Sequence, residues 1–304
     1  MWVGTQLRRA TVLLLAGGLV VSAAACGKSE DDDSGKSSGS GDSSGTGSGA
    51  KNCGKGSLNL VNDGVLTIGT DSPAYPPWFQ DDEPTNGKGF ESAVAYAVAD
   101  ELGFDKTEVT WTKVGFDSAI APGDKDFDFD INQVSISKDR EKAVDFSDGY
   151  YATNQAVVGY ANSKAAKAKT LKDLQGLKLG AQVSTTSLDF INDVIKPTSQ
   201  PFVYNDNNAA KAALNAKQID GIILDLPTAF FVSSSEIPGT KVIGQFPASA
   251  GAKGDEFGMV FTKGNSLRDC VNEALGRLKD SGELDKIEKQ WLSDVVKAPV
   301  IPVD

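Results

Sequence analysis

The sequence predicts an α/β fold. Short apolar segments with the composition of buried strands recur along the chain, and amphipathic segments with helical spacing separate them. Residues 65–70 (VLTIGT), 177–182 (LKLGAQ) and 220–225 (DGIILD) are three such strands. Each is followed by polar residues or prolines, and open α/β sheets bind their ligands at the carboxyl ends of their strands.

Composition excludes several classes of function. The chain has 304 residues, of which 41 are acidic and 30 basic, with a formal net charge of −11. This length is sufficient for one large domain or two smaller ones. Net acidity and the lack of a basic cluster in the globular part argue against nucleic-acid binding. The sequence has no histidine, which excludes Ser-His-Asp and Cys-His nucleophilic machinery, and we expect neither a metal nor a cofactor.

The first 25 residues have the pattern of a secretory signal peptide. Two arginines at positions 8 and 9 precede an apolar run that is too short to span a membrane comfortably, and small residues precede Cys26. The pattern resembles the lipobox of bacterial lipoproteins, with Ala23 in place of the usual leucine. That resemblance implies lipidation of Cys26 and a membrane anchor. The alternative is ordinary signal cleavage beside an incidental cysteine.

Residues 26–55 are predicted to be the lipidated cysteine and a disordered tether. Glycine, serine and aspartate dominate the segment that follows Cys26, and such a composition cannot bury a core. Beyond it, Cys53 and Cys270 form an even pair in an oxidising compartment. We expect a disulfide between the start of the folded domain and a C-terminal helix; two free cysteines are the alternative.

The first half of the folded chain begins with the strand at 65–70. A proline-rich loop follows, and its aromatic residues Tyr75, Trp78 and Phe79 either contact a ligand or anchor the loop to the core. The remaining predicted elements of this half are a helix at 89–102, a strand at 109–113, a short helix at 116–120, an alternating strand pattern at 126–132, and a connecting strand at 150–158.

A polar segment follows the alternating strand pattern. It contains Gln133, Ser135, Ser137 and Arg140. A guanidinium binds a carboxylate through two parallel N–H···O bonds, and hydroxyl groups can donate to the same carboxylate. The segment is therefore either a site for a small anion such as an α-carboxylate or a solvated surface turn.

The second half repeats the α/β pattern. Ser184, Thr185 and Thr186 follow the strand at 177–182 and precede a helix, which indicates either an anion site at the helix N-terminus or plain N-capping. Asp225 ends the strand at 220–225, where it either meets a charged partner or caps the next helix. Two further strands and two amphipathic helices complete the chain.

Six stretches of the sequence resemble the polar-amino-acid solute-binding proteins of bacterial ABC importers. In the order that the family has them, these are LTIGTDSPAYPPW, GFESAVAYAVADELG, SISKDREKAVDFSDGYY, LKDLQGLKLGAQVSTTS, AALNAKQIDGIILDLPTA and GNSLRDCVNEALGRLKDSGELDKIEKQW. They extend from about Leu66 to Trp291. The REKAVDFSDGYY run and the final pair of helices are the most specific of them.

The resemblance implies a fold and a division of the chain. The expected fold is a two-lobe, periplasmic-binding-protein-like (type II) clamshell with two crossover strands. Lobe 1 is expected to comprise residues 56–153 and 255–304, and lobe 2 residues 154–254. The crossings are expected near 150–156 and 254–257.

The resemblance also implies a set of ligand-binding residues. Arg140, Thr185 and Thr186 would hold the ligand carboxylate, and Asp225, Ser135 and the Gln133 carbonyl would hold its ammonium group. Tyr75 and Phe116 would enclose the side chain, and Asp71 and Gln182 would contact its far end. Trp78 joins the predicted ligand-binding residues because of its place on the proline-rich loop. The chain departs from the family at Gln133, where relatives commonly have a small residue, and at Leu224, where some have a polar one.

The expected ligand is a free amino acid with a neutral polar or basic side chain, because no matched position offers a second cation for an acidic one. The expected partners are an ABC importer permease and, through the lipid anchor, the membrane; we expect a monomer outside the cytoplasm. Three alternatives are a dehydratase-like enzyme on the same fold, a ligand-sensing lobe of a membrane signalling partner, and a passive surface lipoprotein.

Overall fold

The structure is a computed structural model that describes residues 52–247, 255–292 and 298–303. The predicted signal peptide, the lipidation site Cys26 and nearly all of the tether lie outside the described residues. Within those three ranges, no helix combines the length and the apolar character that crossing a membrane requires.

The described residues form an alternation of strands and helices. The strands are β1 Leu66–Thr70, β2 Val109–Lys113, β3 Phe129–Asp130, β4 Asp145–Phe146, β5 Tyr151–Thr153, β6 Gln155–Tyr160, β7 Leu179–Gln182, β8 Phe202–Tyr204, β9 Gly221–Asp225, β10 Thr240–Phe246, β11 Asp255–Phe257 and β12 Val260–Phe261. The helices are α1 Phe90–Glu101, α2 Phe116–Ile120, α3 Leu171–Leu174, α4 Thr186–Phe190, α5 Asn207–Asn215, α6 Leu226–Phe231, α7 Leu267–Asp280 and α8 Glu283–Leu292.

The strands form two five-stranded sheets, each the centre of one lobe. The sheet of lobe 1 has the order β2-β1-β3-β12-β4, with β1 parallel to β2 and β3 and with β12 antiparallel to both of its neighbours. The sheet of lobe 2 has the order β10-β6-β9-β7-β8, with β7 parallel to β8 and β9. Parallel neighbours bring their carboxyl ends to one edge of the sheet, so polar residues that follow them meet there.

Two crossover strands join the lobes. β5 and β11 pair antiparallel, with Tyr151 opposite Phe257 and Thr153 opposite Asp255. The predicted two-lobe α/β fold with two crossover strands is confirmed. The prediction of one continuous strand over 150–158 was wrong, because the chain breaks at Asn154, whose carbonyl accepts the amide of Leu226 at 2.9 Å.

The proline-rich loop after β1 is fastened to the start of α1. The amides of Phe90 and Glu91 donate to the carbonyls of Pro77 and Trp78, both at 3.0 Å. Gly89 makes this approach possible: its φ is 98°, and a Cβ at this position would lie 2.4 Å from the Trp78 carbonyl oxygen. The loop therefore holds its aromatic residues in fixed positions at the end of β1.

The alternating pattern at 126–132 gives a shorter strand than predicted. Only Phe129–Asp130 is extended in the sheet, and its polar positions are buried as deeply as its apolar ones, with Asp128 and Asp130 at 1% and 0% exposure. Asp128 accepts the amides of Val61 and Thr67, both at 2.7 Å. Its carboxylate thus fastens the N-terminal segment to the sheet, a tertiary contact that a periodicity argument does not contain.

The disulfide predicted between Cys53 and Cys270 is present. It joins the start of the described chain to α7, across a sequence separation of 217 residues. Cys270 lies on the buried side of α7 with 5% exposure, and Cys53 packs against the same apolar cluster.

The last described residues, 298–303, lie on lobe 2, although the predicted boundaries assign them to lobe 1. Gln245 of β10 pairs with them through a single parallel bridge: its amide donates to the Pro299 carbonyl at 2.7 Å, and its carbonyl accepts the Ile301 amide at 2.9 Å. Ile301 is 1% exposed and packs with the core of lobe 2, where the absence of a side chain at Gly244 makes room for it.

Replacing Ile301 with alanine is expected to destabilise the protein by about 2–4 kcal/mol, because the substitution leaves a cavity in the core of lobe 2. Val300→Ala is the matched control: Val300, the residue before Ile301, is 60% exposed, and the loss of stability should stay within about 0.5 kcal/mol. Urea unfolding of both variants measures the difference. Equal stability of the two would contradict the anchoring role of Ile301.

Candidate functional site

One cavity between the lobes collects polar side chains from both sheets. The residues that line it are Asp71, Tyr75, Phe116, Asn132, Gln133, Ser135, Arg140, Gln182, Thr185, Thr186, Ser187, Asn207, Ile223, Leu224, Asp225 and Thr228. The structure thus brings together all of the predicted ligand-binding residues except Trp78.

Arg140 is held in place by both lobes. Its Nη1 donates to the Ser135 carbonyl at 2.7 Å and its Nη2 to the Ser184 carbonyl, in the opposite lobe, at 2.8 Å. The guanidinium also lies over the ring of Phe116, 5.3 Å from its centroid. Burial lowers the pKa of Arg140, yet an arginine remains charged in proteins. A fixed, partly desolvated cation is a suitable partner for a carboxylate.

The two threonines after β7 have different roles. Thr185 caps α4: its Oγ1 accepts the Leu188 amide at 3.3 Å and donates to the Gln182 carbonyl at 2.7 Å. Thr186 faces the other lobe, with its Oγ1 3.2 Å from the Oγ of Ser135. N-capping therefore explains one hydroxyl, and the second belongs to the contact across the cleft.

Asp225 does not cap α6. Its side chain makes no capping hydrogen bond and instead accepts from Nε2 of Gln155 at 3.0 Å. Burial raises the pKa of Asp225 to about 8, and the negative charge of Asp255 adds to this effect. A nearby cation would stabilise the ionised form of this carboxyl group, which is the property expected of an ammonium site.

The cavity adjoins an acidic recess, with which it shares lining residues. Asp71 lines both spaces, and Asp117 and Asp206 line the recess. Burial raises the pKa of Asp71, and the charges of Asp206 and Asp117 raise it further. No lysine or arginine is among the described residues that line the recess. The Oη of Tyr75 and the Nδ2 of Asn132 are buried without a hydrogen-bond partner in the described structure.

Gln133 separates the cavity from a buried acid. Glu91 is 0% exposed and accepts from the amide of Gln133 at 2.7 Å, from its Nε2 and from the hydroxyl of Tyr150. Burial raises the pKa of Glu91 to about 7. Gln133 has a φ of 48°, which turns its side chain toward Glu91 while the residue still lines the cavity. The bulky amide therefore covers the glutamate.

Trp78 lies outside the cavity lining. It is 0% exposed, its ring meets those of Tyr151 and Phe257 edge to face, and its Nε1 donates to Oγ1 of Thr228 at 2.8 Å. Of the two interpretations of the loop aromatics, the anchoring one describes Trp78. Its contact with Thr228 crosses from lobe 1 to lobe 2.

Sequence reasoning missed several residues near the cavity. Asn132 and Ser187 are direct neighbours of predicted residues, so their position beside Gln133 and Thr186 was a usable signal. Asn207 and Thr228 each lie in the first turn of a helix that follows a strand, a weaker signal. Gln155, which contacts Asp225 without lining the cavity, had none.

Two α/β lobes joined by two crossover strands, with a polar cavity between them, define a two-lobe solute-binding protein. The chain belongs to the bacterial extracellular solute-binding proteins, family 3, which it matches over residues 66–294.

Known relatives and solved structures agree with this assignment. The chain is 31% identical to the L-cystine-binding protein TcyJ of Escherichia coli (strain K12), over 80% of this chain and 89% of that protein. It is 28% identical to the arginine-binding extracellular protein ArtP of Bacillus subtilis (strain 168), over 75% of this chain and 86% of that one. A solved ancestral arginine-binding protein bound to glutamine superposes with a TM-score of 0.64 at 31% identity, over 75% of this chain and 98% of the other.

Replacing Asp130 with asparagine is expected to stabilise the protein more at pH 8 than at pH 5. Both carboxyl oxygens of Asp130 are buried without a hydrogen-bond partner in the described structure, and burial raises its pKa well above the ordinary value. The folded state thus keeps a proton that the unfolded state has lost above pH 4, so this group lowers stability as the pH rises, by at most about 1.4 kcal/mol per pH unit. Urea unfolding at both pH values tests this.

Asp128→Asn is the control for this experiment. Asp128 is equally buried on the same segment but accepts two amides. Its replacement should destabilise the protein at both pH values, by about 1–3 kcal/mol. A gain from Asp130→Asn that does not change with pH would contradict the assignment of a neutral Asp130.

Proposed function

We propose that this protein binds a free amino acid outside the cytoplasm and delivers it to an ABC importer permease. One observation supports this most directly: Arg140 of lobe 1 and Asp225 of lobe 2 line the same cavity. An amino acid carries a carboxylate and an ammonium group on neighbouring atoms, and the two residues match these charges. Ligand binding then requires both lobes.

The remaining lining residues complete the backbone site. Thr186 joins Arg140 around the carboxylate, with Thr185 beside it in the cavity lining, where the Thr185 hydroxyl caps α4. Ser135 and the Gln133 carbonyl join Asp225 around the ammonium group. Charge-assisted hydrogen bonds in a cleft that excludes water are stronger than neutral ones.

The side chain is proposed to be basic. Tyr75 and Phe116 flank it, and its far end reaches Asp71, Gln182 and the acidic recess with Asp117 and Asp206. An acidic side chain would find no cation among the described residues that line the recess, whereas a guanidinium or ammonium group would meet carboxylates. ArtP is named for arginine, which agrees with this choice. A neutral polar ligand is the alternative, since the amide of Asn132 offers a free donor.

Lobe closure is the proposed mechanism of delivery. Contacts between the lobes include Arg140 with the Ser184 carbonyl and Trp78 with Thr228. A ligand that contacts both lobes binds the closed state more tightly and so increases its population. Micromolar affinity would correspond to about 8 kcal/mol. The permease would then recognise the closed form.

The proposal includes a lipid anchor. Cys26 would carry the lipid, and the Gly/Ser/Asp segment after it would let a monomeric binding domain reach the permease. No covalent step on the ligand is part of the proposal. Glu91 is the candidate acid for a dehydratase-like reaction, but Tyr150 and Gln133 hold it outside the cavity lining.

A thermal-shift screen against the common amino acids tests the function. A ligand at a hundredfold excess over its dissociation constant adds about 2.7 kcal/mol of stability, or about 5–10 °C. We expect the largest shifts with arginine or lysine and none with aspartate or glutamate. Shifts confined to neutral polar amino acids would overturn the basic side chain and leave amino-acid binding intact.

Arg140→Ala is expected to lower amino-acid affinity about a hundredfold or more in calorimetry, because two charge-assisted bonds to the carboxylate are lost. Lys142→Ala is the matched control: it lies on the same turn, and its side chain is 76% exposed and paired with Asp139. The control should bind like the wild type. Unchanged affinity of Arg140→Ala would remove the carboxylate assignment.

Binding at pH 7 is expected to release close to one proton from Asp225. The pKa of this group is raised to about 8, so it is protonated at pH 7, whereas the bound ammonium group requires its ionised form. Affinity should therefore rise with pH, by at most tenfold per unit, and become constant above pH 8. Calorimetry at pH 7 in phosphate and in Tris, which differ in ionisation enthalpy, counts the protons. Equal binding enthalpies in the two buffers would contradict this role of Asp225.

A further inference from the structure

Gln155 connects three elements with one side chain. It is the first residue of β6, just after the crossover strand β5, and it is 5% exposed. Its Nε2 donates to Asp225 at 3.0 Å and to Asp255 at 2.7 Å, and its Oε1 accepts from the Oγ of Ser187 at 2.7 Å. Gln155 itself does not line the cavity.

The surroundings determine the orientation of this amide. Two carboxylates face its nitrogen, and a hydroxyl donor faces its oxygen. Turning the amide over would place its oxygen against both carboxylates, Asp225 and Asp255, and lose both donated bonds. Both N–H groups of Gln155 are thus committed to acids.

The three closest partners belong to functionally different segments, and a fourth, longer contact from Nε2 to Oγ1 of Thr186 at 3.5 Å reaches the same helix as Ser187. Asp255 lies on the crossover strand β11, Asp225 ends β9, and Ser187 lies in the first turn of α4. Asp255 does not line the cavity, whereas the other two do. A single amide therefore connects a crossover strand with both segments of lobe 2 that are proposed to hold the ligand backbone.

We propose that Gln155 and Asp255 are positioning residues of the ammonium site, in that Gln155 aims the Asp225 carboxylate at the cavity and Asp255 places a second negative charge behind it. This inference rests on the proposed function. The ammonium group of the ligand is then attracted by two carboxylates, only one of which it touches. Because Asp255 belongs to β11, the ammonium site is connected through Gln155 to one of the two crossover strands.

Gln155 and Asp255 have opposite effects on the titration of Asp225. Asp255 on β11 and Glu91 on α1 favour the protonated form of Asp225, while the hydrogen bond from Gln155 and the charge of Arg140 favour the ionised form. Tyr150 and Tyr151 also lie within the field of Asp225. Removing the Gln155 donor should therefore raise the pKa of Asp225, and removing the Asp255 charge should lower it.

The experiment compares Gln155→Leu and Asp255→Asn with the wild type. The probe is L-arginine, or the amino acid that stabilises the wild type most, together with its analogue that lacks only the α-amino group. We expect Gln155→Leu to lower the affinity for the amino acid about ten- to a hundredfold, which corresponds to the loss of a hydrogen bond to a charged group. The affinity for the analogue should fall less than about threefold. Asp255→Asn keeps an acceptor for Gln155 and should weaken binding of the amino acid about tenfold at a pH high enough that Asp225 is ionised in every variant, because the second negative charge is lost.

The pH dependence of binding provides the second readout. Its midpoint should move to higher pH in Gln155→Leu and to lower pH in Asp255→Asn, a pattern that a purely structural role would not produce. Asn154→Ala is the matched control: this neighbour donates to Gln245 at 2.9 Å, away from both acids, so stability should fall while selectivity and midpoint stay unchanged.

The outcomes are distinct. Equal weakening of the two probes, or midpoints that do not move in opposite directions, would overturn the positioning role. If Gln155→Leu does not fold, Asp255→Asn alone decides, since its midpoint must fall. A wild-type protein that binds no amino acid would instead overturn the proposed function.

Discussion

The cleft depends on one guanidinium that both lobes hold without neutralising it. Arg140 donates to a carbonyl of lobe 1 and to a carbonyl of lobe 2, and both partners are neutral. A carboxylate partner within the protein would satisfy the cation and leave little attraction for a ligand, whereas carbonyl groups orient it and preserve its charge. The acids whose charges act on Arg140, Asp189, Asp225 and Asp255, make no ion pair with it within the described residues.

The acids of the cleft follow the complementary principle. Burial leaves Asp225 and Glu91 with raised pKa values, so each is poised between a proton and another cation. The protein treats them differently. Glu91 is covered by Gln133 and Tyr150, and Asp225 is left beside the cavity with one amide to orient it. Solvent access and hydrogen-bond partners, and not residue type, thus decide which acid can meet a ligand.

The connections between the lobes are more extensive than the two crossover strands. The chain leaves α8 of lobe 1 at Leu292 and returns at residues 298–303 to the edge strand of lobe 2. There Gln245 contacts both the C-terminal segment and Asn154, the residue at which the first crossover breaks. The C-terminal segment is therefore bound close to the first crossover.

The sequence by itself determined the α/β class, the strand ends that carry polar groups, the paired cysteines and several residues of the cavity lining. These are local patterns: an apolar run, its terminating residue and the spacing of an amphipathic helix are all read within a few residues. The family resemblance added the two-lobe arrangement, which the sheets confirm.

The tertiary structure alone decided which side each polar residue faces. Trp78 and Tyr75 share a loop, yet one is a buried contact between the lobes and the other lines the cavity. Gln155 meets Asp225 and Asp255 across 70 and 100 residues of sequence. Residues 298–303 become part of lobe 2 because Gly244 leaves space for Ile301. Contacts of this kind arise from the packing of distant segments, so no local pattern encodes them.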